Sequence, residues 1–121
     1  MRLTCLIVDD SSVFLDGAVD LLGREGVDVV GVAAGGEDAI RLVQELHPDV
    51  TLVDVDLGDE DGFEVVEQLA ALEGASAKVI LISTHAEDDL GPLIRTSPAL
   101  GFVPKARLSA EAIRELLEPA A

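Results

Sequence analysis

The chain has 121 residues and a formal net charge of −16, from 24 acidic against 8 basic residues. That length suits one compact domain with a single core, and a hydrophobic fraction of 49% excludes a disordered tail. The charge disfavours direct contact with nucleic acid or an anionic membrane surface and suits a bound metal ion or a cationic partner.

The opening "MRLTCLIVDD" carries one Arg and a short apolar run that ends in two acids. It lacks the longer apolar region and cleavage site of a signal peptide. No apolar run approaches the roughly 20 residues of a membrane-spanning helix, so the expected location is the cytoplasm. "LTCLIV" (3–8) is nearly all apolar, as expected of a strand covered on both faces. Cys5, the single cysteine, lies within it and reads as a buried structural thiol. In "SSVFLDGAVDLLGREG", Ser11 or Ser12 can cap a helix. Val13, Phe14, Gly17, Ala18, Leu21 and Leu22 recur at helical spacing, and Gly26 suits the helix end.

A second strand is predicted over 27–34. "GEDAIRLVQELHPD" predicts a helix with Ala39, Ile40, Val43 and Leu46 on one face, stopped by Pro48. "VTLVD" (50–54) reads as a third buried strand, and "DGFEVVEQLAAL" as a helix with Phe63, Val66, Leu69 and Ala70 facing inward. Strands follow at 78–83 and 101–104, and "SAEAIRELLE" closes as a helix capped by Ser109. Between those strands "HAEDDLGPLIRTSPAL" must hold the fourth helix. Gly91, Pro92 and Pro98 predict a short or irregular one, more mobile than the rest. The alternation of near-continuous apolar strands with helices predicts an α/β doubly wound (βα)5 fold: three layers around a five-stranded parallel sheet, in a single domain over 1–121.

In such sheets ligands bind beyond the carboxyl ends of the strands. The residues there are Asp9 and Asp10, then Asp54, then Ser83 and Thr84, then Lys105, one of two lysines. Close carboxylates raise one another's pKa unless a cation lies among them. Oxygen ligands without His or Cys favour Mg2+, or Mn2+, over zinc. Taken singly, an acidic loop, a strand-end Lys or a strand-end Ser is ordinary solvated surface; the set in this order carries the signal. Metal, carboxylate, hydroxyl and ammonium together suit phosphoryl transfer to a carboxylate. Asp59, Glu60 and Asp61 read as a polar turn, with Asp61 capping the next helix. Phosphate-cradling glycine motifs are absent, and there is no Trp or Tyr to stack on a flavin or base.

The pieces "LIVDDSS" (6–12), "HPDVTLVDVDLGDEDGFEVVEQL" (47–69), "KVILIST" (78–84) and "GFVPK" (101–105), in that order, resemble the response-regulator receiver domain of two-component signalling. The resemblance implies the flavodoxin-like strand order 2-1-3-4-5 and Asp54 as phospho-acceptor. It implies Asp9, Asp10, Asp54 and the backbone carbonyl of Asp56 as Mg2+ ligands, Ser83 as switch hydroxyl, Lys105 as phosphoryl contact and Phe102 as a rotating aromatic. It further implies a sensor histidine kinase or phosphotransfer protein as donor, with acetyl phosphate as a small substitute; the net charge of −16 makes a protein target or a second copy of the chain the expected output. The chain departs from the common pattern at Gly58, at Thr84 after the hydroxyl, at Asp56 two residues past the acceptor, and at Ala106 after the lysine. Asp56 and Thr84 are therefore expected to modulate phosphoryl lifetime. "GFVPKARLSAEAI" is most like receivers joined to helix-turn-helix output domains, although 1–121 contains no such domain. The rival readings are a docking module that acts without phosphorylation, a phosphatase using "DVDLG" as a DxD nucleophile motif, and a flavodoxin-like binder. The DxD motif would belong on the first strand of such an enzyme, and here it lies on the third; "DDSS" offers a flavin phosphate two acids.

Overall fold

In the computed structural model, which describes residues 3–72, 78–84 and 87–118 apart from the side chains of 87–90, each near-continuous apolar run forms a strand. The order is β1 (Leu3–Val8), α1 (Ser12–Arg24), β2 (Val27–Ala33), α2 (Gly36–Leu46) and β3 (Val50–Asp54). Two short strands follow, β4 (Asp56–Leu57) and β5 (Glu60–Asp61), and then α3 (Gly62–Ala70), β6 (Val79–Ser83), α4 (Glu87–Thr96), β7 (Gly101–Pro104) and α5 (Ala110–Leu117). The five long strands form one parallel sheet in the order β2-β1-β3-β6-β7. Counted without the short pair, this is the expected 2-1-3-4-5.

Strand side chains alternate between faces, and the core divides accordingly. Cys5, Ile7, Leu52, Ile80 and Ile82 pack with Ala18 and Leu22 of α1 and Ile113 of α5. Leu6, Val8, Val53 and Leu81 pack on the other face with Ala39 and Val43 of α2 and Val65, Val66 and Leu69 of α3. Burial pushes the Cys5 thiol up to about 12, which keeps it protonated and inert near neutral pH.

The helix stops are local chemistry. Ser11 caps α1, its hydroxyl accepting from the Phe14 N–H, and Gly26 follows the helix at φ 90°. Asp61 accepts from the Phe63 N–H and Ser109 from the Ala112 N–H, as expected of caps. Four positions read as lying on the apolar faces are corrected, among them Gly17, which is exposed. Val13 is 82% exposed and Leu46 40% exposed, while Ala70 is exposed and Val65 takes the buried place. Each lies at the margin of its apolar stripe, where a small rotation of the helix decides burial. The fourth helix is also not short. It runs 10 residues against 9 for α3 and continues through Pro92. The single Thr96 hydroxyl proton is shared between the carbonyls of Pro92 and Leu93, each 3.2 Å from the hydroxyl oxygen, in the last turn of the helix.

The segment read as a polar turn is more ordered than expected. β4 and β5 form an antiparallel ribbon, Asp56 opposite Asp61 and Leu57 opposite Glu60. Gly58 turns it at φ 74°, a conformation that favours glycine. Behind the ribbon the first turn of α3 presses on the end of β3, and the Gly62 N–H donates to the Val55 carbonyl at 3.0 Å. A Cβ on Gly62 would collide with the Asp54 carbonyl oxygen and the Val55 α-carbon. Both are backbone and cannot swing aside. Gly62→Ala is therefore expected to destabilise the fold by about 1–3 kcal/mol, the usual range for overpacking, measured as a lowered urea midpoint; an unchanged midpoint would show that the contact relaxes freely.

Candidate functional site

Sheet register brings the strand-end residues together. Val8 lies opposite Val53, so Asp9 stands beside Asp54. Asp54 lies opposite Ile82, which puts Ser83 one step further along the same edge. Ser83 lies opposite Pro104, and Lys105 follows directly. Asp9, Asp54 and Ser83 are buried, the first with no exposed surface, whereas Asp10 is exposed.

Lys105 joins the two buried acids. Its Nζ lies 2.7 Å from Asp9 Oδ2 and 3.0 Å from Asp54 Oδ2, with the lysine side chain only 12% exposed. The second oxygen of each acid is held by backbone: Asp9 Oδ1 accepts from the Ser11 N–H at 2.9 Å and Asp54 Oδ1 from the Asp56 N–H at 3.1 Å. Burial raises the Asp54 pKa, and the Asp9 charge adds to this; the Asp56 N–H and Lys105 pull it down without cancelling the shift. For Lys105, burial lowers the pKa, but the close contacts with the Asp9 and Asp54 carboxylates outweigh it and the net shift is upward. The ammonium therefore stays charged across the neutral range.

Asp9, Asp10 and Asp54 each offer an oxygen within 4.8 Å of the others. With all three ionised, the lysine balances one charge and two remain, the complement of a divalent cation. Asp9 Oδ2 is buried and has no hydrogen-bond donor aligned on it, only the ionic contact with Lys105. A free oxygen lone pair beside two further carboxylates fits a hard cation such as Mg2+. Asp10 Oδ2 lies against the ribbon turn, where a Cβ on Gly58 would approach it to 3.1 Å.

The remaining expected residues differ in placement. The Asp56 side chain is exposed and accepts the Gly58 N–H at 3.2 Å, folding into its own loop. Thr84 is exposed beside the buried Ser83. Phe102 is half-buried with Ile94 of α4, on the face that carries α2 and α3. Two contributors are not apparent from the sequence. Glu60 leaves the acidic ribbon and caps a different helix, its Oε2 accepting the Gly36 N–H of α2 at 2.7 Å. The Gly35 cap of α2 has no side chain to do this, and the "GG" pair was the available sign. Phe14 places its ring centroid 4.3 Å from Lys105 Nζ. It reads as a core residue of α1 because its partner lies far along the chain.

The Asp54 shift has a consequence for pH. A carboxyl with a raised folded pKa contributes stability below its unfolded value, near 3.9, and loses that contribution as pH rises through the folded value. In EDTA at neutral pH, Asp54→Asn is expected to melt a few degrees above the wild type, and the gap is expected to close as pH falls towards the unfolded value. Thermal melts across that range check it; a gap that widens in acid would contradict the burial argument.

The chain matches the response regulator receiver domain family over residues 5–118. It is 34% identical to the response regulator GacA of Pseudomonas aeruginosa over 83% of this chain and 47% of the relative. It is also 34% identical to a protein-glutamate methylesterase/protein-glutamine glutaminase of Nocardioides, over 94% of this chain and 33% of that protein. The chain thus spans half or less of these relatives' lengths. Among solved structures it is similar to the signal receiver domain of the response regulator NarL from Mycobacterium tuberculosis, with a TM-score of 0.82, 30% identity, and 96% of this chain and 94% of that chain covered. Fold, register and sequence agree, and the chain belongs to the response regulator receiver domain family.

Proposed function

We propose that this chain is an Mg2+-dependent phosphorylatable switch in which Asp54 accepts a phosphoryl group from a phosphohistidine on a sensor histidine kinase or phosphotransfer protein. An Asp54 carboxylate oxygen attacks phosphorus as the P–N bond breaks. The imidazole keeps the bonding electron pair, and the product is an acyl phosphate. Asp9, Asp10, Asp54 and the Asp56 backbone carbonyl would hold Mg2+ (or Mn2+), which spreads the charge of the phosphoryl oxygens. The Lys105 ammonium offsets the same charge, and the Ser83 hydroxyl is the donor that follows the phosphoryl group. One observation carries this reading: a largely enclosed ammonium 3.0 Å from the Asp54 carboxylate, with two further acids alongside.

Ser83 and Lys105 flank the β6–β7 edge, and Phe102 and Ile94 share a cluster with α2 and α3. A phosphoryl group that draws on both polar residues would bias an existing equilibrium at the α4 and β7 surface. The output is a protein partner or a second copy of the chain, in the cytoplasm, without direct nucleic-acid contact given the net charge of −16. Among the described residues no helix is long and apolar enough to cross a membrane.

Acetyl phosphate with Mg2+ is expected to add one phosphoryl group to the intact mass of the wild type and none to Asp54→Asn. An unmodified wild type, or equal modification of both, would refute the assignment. Asp10→Ala is expected to abolish Mg2+ binding in titration calorimetry, together with the thermal stabilisation that bound Mg2+ confers; unchanged affinity would remove Asp10 from the ligand set.

A further inference from the structure

We infer that Phe14 is a positioning residue of this site: the face of its ring holds the Lys105 ammonium over the acid cluster. The inference deepens the proposed phosphoryl-acceptor function and rests on it for its effect on rate. The distance of 4.3 Å from Nζ to ring centroid is within the range at which an aromatic face attracts a cation. The contact closes a circuit. Asp9 Oδ1 accepts the Ser11 N–H, the Ser11 hydroxyl accepts the Phe14 N–H, the Phe14 ring faces Lys105 Nζ, and Nζ returns to Asp9 Oδ2. The acid that draws in the lysine therefore also fixes the turn that carries the ring.

Of the three partners of the ammonium, two are the oxygens the proposed chemistry uses. Asp54 becomes an acyl phosphate and loses its carboxylate charge, and Asp9 offers its lone pairs to a metal. The ring is a partner that phosphoryl transfer leaves unchanged. It can keep Nζ at the reaction centre while the lysine exchanges carboxylate for phosphoryl oxygen. Positioning of this kind lowers the barrier because the charge need not be gathered from solvent.

Phe14→Leu keeps apolar bulk without an aromatic face, and Phe14→Tyr restores the face. Hydrogen exchange of the Lys105 ammonium protons is followed by NMR in the Mg2+-saturated protein, and the initial rate of modification by acetyl phosphate by intact mass. Relative to wild type, Phe14→Leu is expected to exchange about fivefold faster and to be modified about fivefold more slowly, the worth of a partly desolvated cation–π contact. Phe14→Tyr is expected to match the wild type in both, and circular dichroism confirms that each variant is folded. A wild-type exchange rate in Phe14→Leu overturns the inference, as does a wild-type modification rate. Equal defects in the Leu and Tyr variants overturn it too, since bulk rather than the aromatic face would then matter. If the wild type itself takes up no phosphoryl group, the proposed function fails, and the exchange pattern alone decides whether the ring holds the ammonium.

Discussion

The ammonium of Lys105 between Asp9 and Asp54 is the interaction on which the site depends. Asp9 has no exposed surface and Asp54 almost none. An ionised carboxylate in such a place is costly unless a charge and hydrogen bonds compensate it. Lys105 supplies the charge from the far end of the chain, and backbone N–H groups of Ser11 and Asp56 supply the hydrogen bonds. The strand order makes this possible. β7 is an edge strand next to β6, and β3 and β1 lie beyond it, so the lysine must cross the end of β6 to reach both acids. A flexible four-carbon stem with a compact charge can do that.

The apolar architecture serves the same end. Successive residues of β1 and β3 feed opposite cores, Ile7 and Leu52 on one side and Leu6, Val8 and Val53 on the other. With both faces covered, register is tightly specified, because a one-residue slip would send each strand's side chains to the wrong face. Register in turn sets Asp9 beside Asp54 and Ser83 beside the end of β7. The precision of the polar cluster is thus borrowed from the hydrophobic layers beneath it.

Much of this is legible in the sequence because it follows from short-range rules. Apolar runs of five or six residues mark β1, β3 and β6 almost to the residue, and Ser11, Asp61 and Ser109 announce their helices by bonds spanning two or three residues. The convergence of Asp9, Asp10, Asp54 and Lys105 is legible once the parallel alternation fixes which edge the strands end on. What escapes is whatever depends on long-range placement. Phe14 has the spacing of a core residue, and only the fold sets Lys105 against its ring. Glu60 looks like one more acid in a solvated run, and only the fold brings Gly36 to it. Val13 and Leu46 fail for a related reason: periodicity shows that a helix has an apolar side but not how wide the contact beneath it is.

Two helices are finished by carboxylates from elsewhere in the chain. Glu60 completes α2 from 24 residues downstream, and Glu25, at the end of α1, accepts the Ala110 N–H at the start of α5 from 85 residues upstream. A helix whose first turn is satisfied from a distance gains that bond only after the intervening strands are paired, so α2 and α5 are weaker as isolated segments than inside the sheet. One of these ties spans the α2–α3 side and the other the α1–α5 side. Loss of β5 or of the end of α1 therefore loosens a helix that the remaining sheet could otherwise have kept. Each glutamate thus ties together two elements that lie on the same face of the sheet, one tie on each face.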